Sequence, residues 1–266
     1  MIQNNITTFR CRLCQGELIS LFQLEVLNKY DVHYFSCKQC KSLQTEEPYW
    51  LEEAYGDSNL SNLDTGAAQR NLDNLAAVYA ICKLFNFKNV IDVGGGDGLL
   101  TRLLRDFEIN CYAKDKFAKM TYAQGFTEEN FDHPDLVLGF ELIEHYPHPS
   151  MDLDDLFAYK PKAIFLSTGI YNNHQEDWWY LVPESGQHIF FYSKEALELI
   201  ATKYQYHLIM RGGYILFIQE KFYFKKWLVR KLIKGGNLRR MKTYLMTKTP
   251  HGVGKDFSLH SKLKQK

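Results

Sequence analysis

The stretch VIDVGGGDGLL, Val90 to Leu100, constrains the fold more than any other segment of the chain. A short apolar run meets glycines at 94, 95, 96 and 98 and is followed at once by LLTRLLRDF. That order reads as a strand, a tight turn and a helix, because glycine supplies backbone conformations closed to other residues. INCYAKD follows as a second strand. PDLVLGF and KAIFLST read as buried strands separated by the helical DLDDLFAYK, and SKEALELIATKY is a helix leading into YHLIMR and GYILFIQ. Strands alternating with helices predict a mostly parallel α/β sheet with helices on both faces. The last two strands are joined by Gly212 and Gly213 alone, which predicts an antiparallel hairpin at one edge. Ahead of the sheet, TGAAQRNLDNLAAVYAICKLF has a period near 3.6 and predicts a helix ending at Asn86.

Four of the six cysteines form two CxxC pairs, Cys11 with Cys14 and Cys37 with Cys40. Each CxxC turn directs two thiolates at one point, so the pairs predict a structural Zn2+ site with four thiolate ligands. A module this short buries too little apolar surface to be stable alone, and metal binding supplies folding energy. Four ligands leave no open position, so the expected role is positional: holding the segment PYWLEEAYGDSNLSNLDTG, or helping to recognise a substrate. Cys82 and Cys111 lack such spacing and read as core residues.

A formal net charge of +1 hides a strong asymmetry. Residues 221 to 266 hold 14 lysines and arginines against one acid, Asp256, a net +13; the remaining 220 residues hold 18 bases and 30 acids, a net −12. In FKKWLVRKLIK, Phe224, Trp227, Leu228 and Leu232 share a helical face opposite Lys225, Lys226, Arg230 and Lys234. That pattern suits peripheral contact with an anionic membrane, or packing on the body through the apolar stripe. The start, MIQNNITTFRCRLC, lacks a secretory pattern and no run approaches the length of a membrane span, so the expected location is cytoplasmic, with membrane association through the tail.

The glycine loop admits two readings. As GxGxxG from Gly94, the third glycine would fall on Leu99, and the dinucleotide reading loses its helix-packing glycine. As DxGxGxG every position is filled, by Asp92, Gly94, Gly96 and Gly98. This resembles motif I of the class I S-adenosylmethionine (SAM) dependent methyltransferases. The resemblance implies a Rossmann-like fold whose last strand is antiparallel, preceded by a small zinc-binding module. It also implies that Asp115, ending the second strand in YAKDKF, accepts from the ribose hydroxyls of the cofactor, as a carboxylate can from both at once. Gly95 departs from relatives that often carry cysteine, serine or alanine there.

FELIEHYPHP resembles the segment that ends the fourth strand in one methyltransferase branch, and WWYLVPESGQHIFFYS resembles that branch's aromatic stretch with Pro, Glu and His. YWLEEAY, DTGAAQRN and the paired CxxC motifs look like zinc-bearing methyltransferases of sugar and surface-polysaccharide modification. The branch that C-methylates deoxysugar nucleotides carries a large C-terminal catalytic domain for which this chain has no room, so the resemblance implies O-methylation of a sugar in a glycan or its precursor. The expected organisation is a zinc-binding module over 1–48, a helical linker or cofactor lid over 49–88, the SAM-binding domain over 89–220 and the basic tail over 221–266.

A sugar hydroxyl must lose its proton, and a neutral histidine is the usual acceptor. His145 in IEHYPHP and His188 in SGQHIFF are the candidates, each with an alternative structural role: the start of a helix for Glu144 and His145, a loop hydrogen bond for His188. His148 and His174 are weaker. Glu141 is a candidate contact to cofactor or acceptor, or a helix cap, and Arg70 a candidate partner for the carboxylate of SAM, or part of a solvated helix face. Trp178, Trp179 and Tyr180 can form a stacking wall for a sugar or pack as core and lid. Two competing functions are an RNA methyltransferase, which the zinc module and basic tail suggest, and a non-catalytic SAM-fold binding module. Phe140, Glu141 and Leu142 differ from the Asn/Asp-Pro-Pro-aromatic pattern of base amino-group methylation, which weighs against nucleic acid.

Overall fold

The computed structural model describes residues 10–56 and 64–263. Residues 57–63 of the segment expected to follow the zinc module, the first nine residues and the last three lie outside the described residues. In chain order the elements are β1 (Leu18–Val26), β2 (Tyr30–Cys37), β3 (Leu43–Thr45), α1 (Leu51–Gly56), α2 (Ala67–Phe85), β4 (Asn89–Val93), α3 (Leu99–Asp106), β5 (Asn110–Lys114) and β6 (Leu136–Phe140). There follow α4 (Pro149–Ala158), β7 (Ala163–Ser167), β8 (Phe190–Phe191), α5 (Lys194–Tyr204), β9 (His207–Arg211), β10 (Tyr214–Ile218), α6 (Glu220–Tyr223), α7 (Lys226–Leu232), α8 (Gly235–Met246) and α9 (Gly252–Leu263). Among the described residues, no helix is long and apolar enough to cross a membrane.

The chain divides into two compact units. The first takes the described residues up to 56 with Ile143–Asp155 and Thr168–Tyr204; the second takes Asp64–Leu142, Leu156–Ser167 and the chain from Gln205. In the first unit a four-stranded antiparallel sheet has the order β1-β2-β3-β8. Val32 and Tyr34 alternate inward along β2 and join Val26, Leu43, Trp50, Tyr180 and Phe191 in its core. The short strand β8 reaches this sheet from far along the chain, pairing Phe191 with Leu43. Ser193 binds the same joint: its hydroxyl accepts from the Ala196 amide at 2.9 Å, capping α5, and donates to the Cys40 carbonyl. The indole of Trp50 donates to the Gly186 carbonyl at 2.8 Å. Gly186 has φ of +66°, and a Cβ there would lie 2.9 Å from Leu27.

The second unit holds a six-stranded sheet of order β5-β4-β6-β7-β10-β9. β5, β4, β6 and β7 run parallel, while β10 pairs antiparallel with both β7 and β9, so the predicted hairpin sits at one edge. The expected mixed α/β fold, with a parallel-dominant sheet and an antiparallel last strand, is the one found. α2 ends as expected at Asn86, which takes the left-handed conformation with φ of +56° and donates to the Cys82 carbonyl.

The basic C-terminal segment folds onto this second unit. Val229, Ile233, Leu238 and Leu245 are buried in its core, each contributing roughly 1.5–3 kcal/mol. Asp256 on α9 accepts from Arg105 at 2.8 and 2.7 Å and from Arg102 at 2.6 Å, and the Arg105 guanidinium lies 3.5 Å from the centre of the Phe126 ring. Asp256, the one acid of the segment, therefore holds α9 to α3. The predicted apolar stripe is redistributed: Val229 and Ile233 are buried, Leu228 and Leu232 half-buried, and Phe224 and Trp227 are 72% and 61% exposed. A break in the helix between Tyr223 and Lys226 separates Phe224 from the residues after it.

Candidate functional site

In the second unit the turn from β4 into α3 is built as its glycines require. Gly94, Gly96 and Gly98 have φ of +68°, +57° and +85°. A Cβ at Gly98 would lie 2.7 Å from the Ala123 Cβ and 3.0 Å from its backbone nitrogen, so packing as well as conformation demands glycine there; at Gly94 it would meet the end of the Leu142 side chain at 2.6 Å. Gly96 differs: a Cβ there would meet nothing within 4 Å. Gly95 lacks a positive φ, and a Cβ there would approach the Asp92 carboxylate at 3.0 Å.

Asp92 and Asp115 support this loop from two sides. Asp92 is 3% exposed and accepts from the Thr101 hydroxyl at 3.1 Å. Burial, opposed by that hydrogen bond and reinforced by the charge of Asp115, pushes its carboxyl up to about 7. Asp115 is half-buried at the end of β5: Oδ2 accepts from the Gly96 amide at 2.9 Å, and Oδ1 from the amides of Phe117 and Ala118, each at 2.8 Å. Three amides fix this carboxylate beside the open side of Gly96. A group offering paired hydroxyls fits there, because each carboxylate oxygen has more than one acceptor direction.

Glu141 and Arg70 belong to the same unit. Glu141, just past β6, has φ of +49°; its amide donates to Ser167 and its Oε1 accepts from the Ser167 hydroxyl at 2.6 Å. Arg70 makes a two-pronged ion pair with Asp64, one arm at 2.7 Å. Loop, Asp92 and Asp115 are thus in mutual contact, whereas Arg70 is engaged locally on α2.

In the first unit the structure brings His145 and His188 together, their ring centres 5.0 Å apart at 76°. His145 Nδ1 lies 3.0 Å from the Gln187 carbonyl and His188 Nδ1 lies 2.7 Å from the Tyr180 carbonyl. A carbonyl oxygen only accepts, so in each ring Nδ1 carries a proton, and a neutral ring of this tautomer has its lone pair on Nε2. Burial, with the charge of His188 second, pushes the His145 imidazole down to about 3, and it is neutral at physiological pH. Glu144, which the sequence marks only as a helix start, is fully buried, and its Oε1 accepts from the Tyr180 hydroxyl. That hydroxyl also lies 3.2 Å from Thr168 Oγ1.

The three adjacent aromatics do not form one wall. Tyr180 is buried, Trp178 stacks on His174 with centroids 4.4 Å apart, and Trp179 is 78% exposed. His148 is exposed, as its place between two prolines suggests. Tyr180, Glu144 and Gln187 escape sequence reasoning as members of the histidine cluster; the only local signals are the adjacency of Glu144 to His145 and of Gln187 to His188.

The four cysteines of the paired motifs converge in this first unit, with Cys11 and Cys40 sulfurs 3.6 Å apart and Cys14 and Cys37 sulfurs 3.5 Å apart. These separations exceed a disulfide bond and approach the ~3.8 Å edge of a tetrahedron with metal–sulfur bonds of ~2.3 Å. The Gln39 and Cys40 amides donate to the Cys37 sulfur at 3.4 and 3.5 Å, as the turn of a metal knuckle requires. Gly16 is needed there, since a Cβ would lie 2.8 Å from that sulfur. The cluster can hold one tetrahedral metal ion.

Comparison with known proteins identifies the family. The profile of a family described as a methyltransferase domain matches residues 63–210. No protein of curated function matches the chain. Among solved structures, the methyltransferase domain of bacterial CtHen1 is similar at a TM-score of 0.40 and 20% identity, over 56% of this chain and 98% of that one. Magnesium protoporphyrin IX methyltransferase from Synechocystis PCC 6803, with bound SAM, gives 0.42 and 13%, over 64% and 89%. The plantazolicin methyltransferase BpumL gives 0.47 and 12%, over 73% and 89%.

The raised carboxyl of Asp92 sets a pH dependence. Between pH ~4 and ~7 the folded chain keeps a proton that the unfolded chain has lost, so stability from this group falls as pH rises and is flat above ~7. Thermal unfolding of wild type and Asp92→Asn from pH 5 to 8 measures it: the wild type loses stability relative to the variant as pH rises. A constant difference across that range would refute the assignment.

Proposed function

This chain belongs to the methyltransferase-domain family, and we propose that it transfers the methyl group of SAM to a hydroxyl of a sugar in a glycan or its precursor. The observation that carries the cofactor reading is the open face at Gly96 beside an Asp115 carboxylate held by three amides. When bound, SAM supplies a methyl carbon made electrophilic by its sulfonium. Asp115 accepts from the ribose hydroxyls, Gly94, Gly96 and Gly98 keep the loop clear of side chains, and Asp92 supports the loop from beneath. Glu141 and Arg70 are further candidates for cofactor contact, with Arg70 having to release Asp64 to reach a carboxylate.

The sugar assignment rests on the likeness of FELIEHYPHP and WWYLVPESGQHIFFYS to sugar-modifying methyltransferases, and the exposed indole of Trp179 offers a face on which a sugar can stack. As the acceptor oxygen bonds to the methyl carbon and the carbon–sulfur bond breaks, the hydroxyl proton must leave. The Nε2 lone pair of His145 or His188 can take it, a step worth ~10²- to 10⁴-fold for a base whose pKa lies near the operating pH; burial, which pushes His145 down to about 3, works against that ring. The four-cysteine cluster holds a structural Zn2+ in this reading, and a cytoplasmic location accords with its thiols. The basic segment contacts an anionic membrane, where Phe224 and Trp227 stand exposed among lysines.

Titration of S-adenosylhomocysteine into the zinc-loaded protein should give micromolar affinity, weakened about tenfold or more (~1.4 kcal/mol) by Asp115→Ala. Absence of binding to the folded protein would overturn the cofactor reading, and labelled SAM with glycan acceptors then tests the sugar. Metal analysis should find about one zinc per chain, lost in Cys37→Ser together with a lowered unfolding temperature; a fully stable, zinc-free wild type would exclude the structural ion. Vesicles rich in phosphatidylserine should retain the wild type at low salt and release it at high salt, with the Phe224→Ala, Trp227→Ala double variant retained less. Equal retention on neutral vesicles would count against the membrane role.

A further inference from the structure

We propose that Glu144, His145 and His188 form a binding site for a first-row divalent cation, distinct from the four-cysteine cluster. One carboxylate oxygen of Glu144 and one ring nitrogen of each histidine lie within 4.8 Å of one another. Metal–ligand bonds of ~2.0–2.2 Å hold neighbouring donors roughly 3–3.5 Å apart, so small side-chain rotations close the set around an ion.

The surroundings are those that orient metal ligands. Each histidine donates its Nδ1 proton to a backbone carbonyl, Gln187 for His145 and Tyr180 for His188, so Nε2 is the ring atom through which each would bind a cation. The Gln187 side chain is itself fixed, donating to the Ala54 carbonyl at 2.8 Å. Tyr180 serves two of the three ligands, its hydroxyl donating to Glu144 and its carbonyl accepting from His188. The Glu144 carbonyl in turn accepts from the Ile189 amide at 3.0 Å, tying the segment of His145 to that of His188. Residues 42 apart in sequence, His145 and Gln187, are thereby held in one constellation.

The donor set selects the ion. Two imidazoles and one carboxylate suit Zn2+, Co2+, Fe2+ or Mn2+, whereas Mg2+ and Ca2+ prefer oxygen donors throughout. Three protein ligands leave an open coordination position, in contrast to the closed cysteine cluster, and a hydroxyl oxygen bound there becomes more acidic. A bound cation engages both Nε2 lone pairs, so it would replace an imidazole as the means of activating an acceptor hydroxyl. Cation binding itself does not depend on the methyl-transfer reading.

The test uses Co2+ added to protein whose cysteine cluster is already filled with zinc. Visible absorption and metal analysis should show one further cobalt per chain at micromolar affinity, with zinc retained and no intense near-ultraviolet thiolate band. His188→Gln and Glu144→Gln should each weaken it about tenfold or more, while exposed His148→Gln leaves it unchanged. Should Glu144→Gln fail to fold, the half-buried His188→Gln, checked by circular dichroism, carries the test. No further cobalt at millimolar concentration, undiminished binding in folded His188→Gln, or cobalt taken up only with zinc release and a thiolate band would each overturn the proposal.

Discussion

A chain that leaves a buried parallel strand and enters a helix within a few residues must turn through backbone conformations that a side chain forbids. Gly94, Gly96 and Gly98 meet that requirement, all with positive φ, and the rest of the second unit is organised around the turn they make. Two of the three are held against Leu142 and Ala123, so the turn is packed rather than merely permitted. The third faces open space, and the Asp115 carboxylate is drawn to its amide. Steric exclusion on two sides and vacancy on one give a small loop both rigidity and a direction in which to receive a ligand.

Much of this unit is legible in the sequence because its signals are local. Five-residue apolar runs, the helical period before Asn86 and the Gly212–Gly213 link each point to one element. Asp92 and Asp115 can be singled out through the resemblance of the glycine loop and the second strand to the methyltransferase motif. What the resemblance leaves unread is their protonation and partners: Asp92 is buried under the loop, and the hydrogen bonds of Asp115 are made to backbone amides that a sequence does not display.

The first unit is less legible, since its organising contacts are long-range. His145 and His188 can be nominated separately, yet nothing local says that their rings meet or that Tyr180 links Glu144 to His188. The aromatic run from Trp178 to Tyr180 looks uniform in sequence and becomes three environments, because Trp178 precedes a single 3-10 turn over Trp179–Leu181 whose successive side chains point in different directions. The C-terminal segment makes the complementary lesson: its composition advertises charge, while its attachment depends on the single acid, Asp256, and four buried aliphatic residues.

The strand Phe190–Phe191, short as it is, sets the order in which the chain can mature. It completes a sheet begun at Leu18, and the neighbouring Ser193 hydroxyl meets the Cys40 carbonyl from 153 residues away. During synthesis the hairpin of β1 and β2 and the cysteine turns emerge early, but their last strand arrives only after most of the parallel sheet has been made. Until then the edge of β3 is unpaired, a surface that invites pairing with another chain. Early capture of a metal ion by the cysteines would limit that exposure by fixing the nascent sheet while it waits for its final strand.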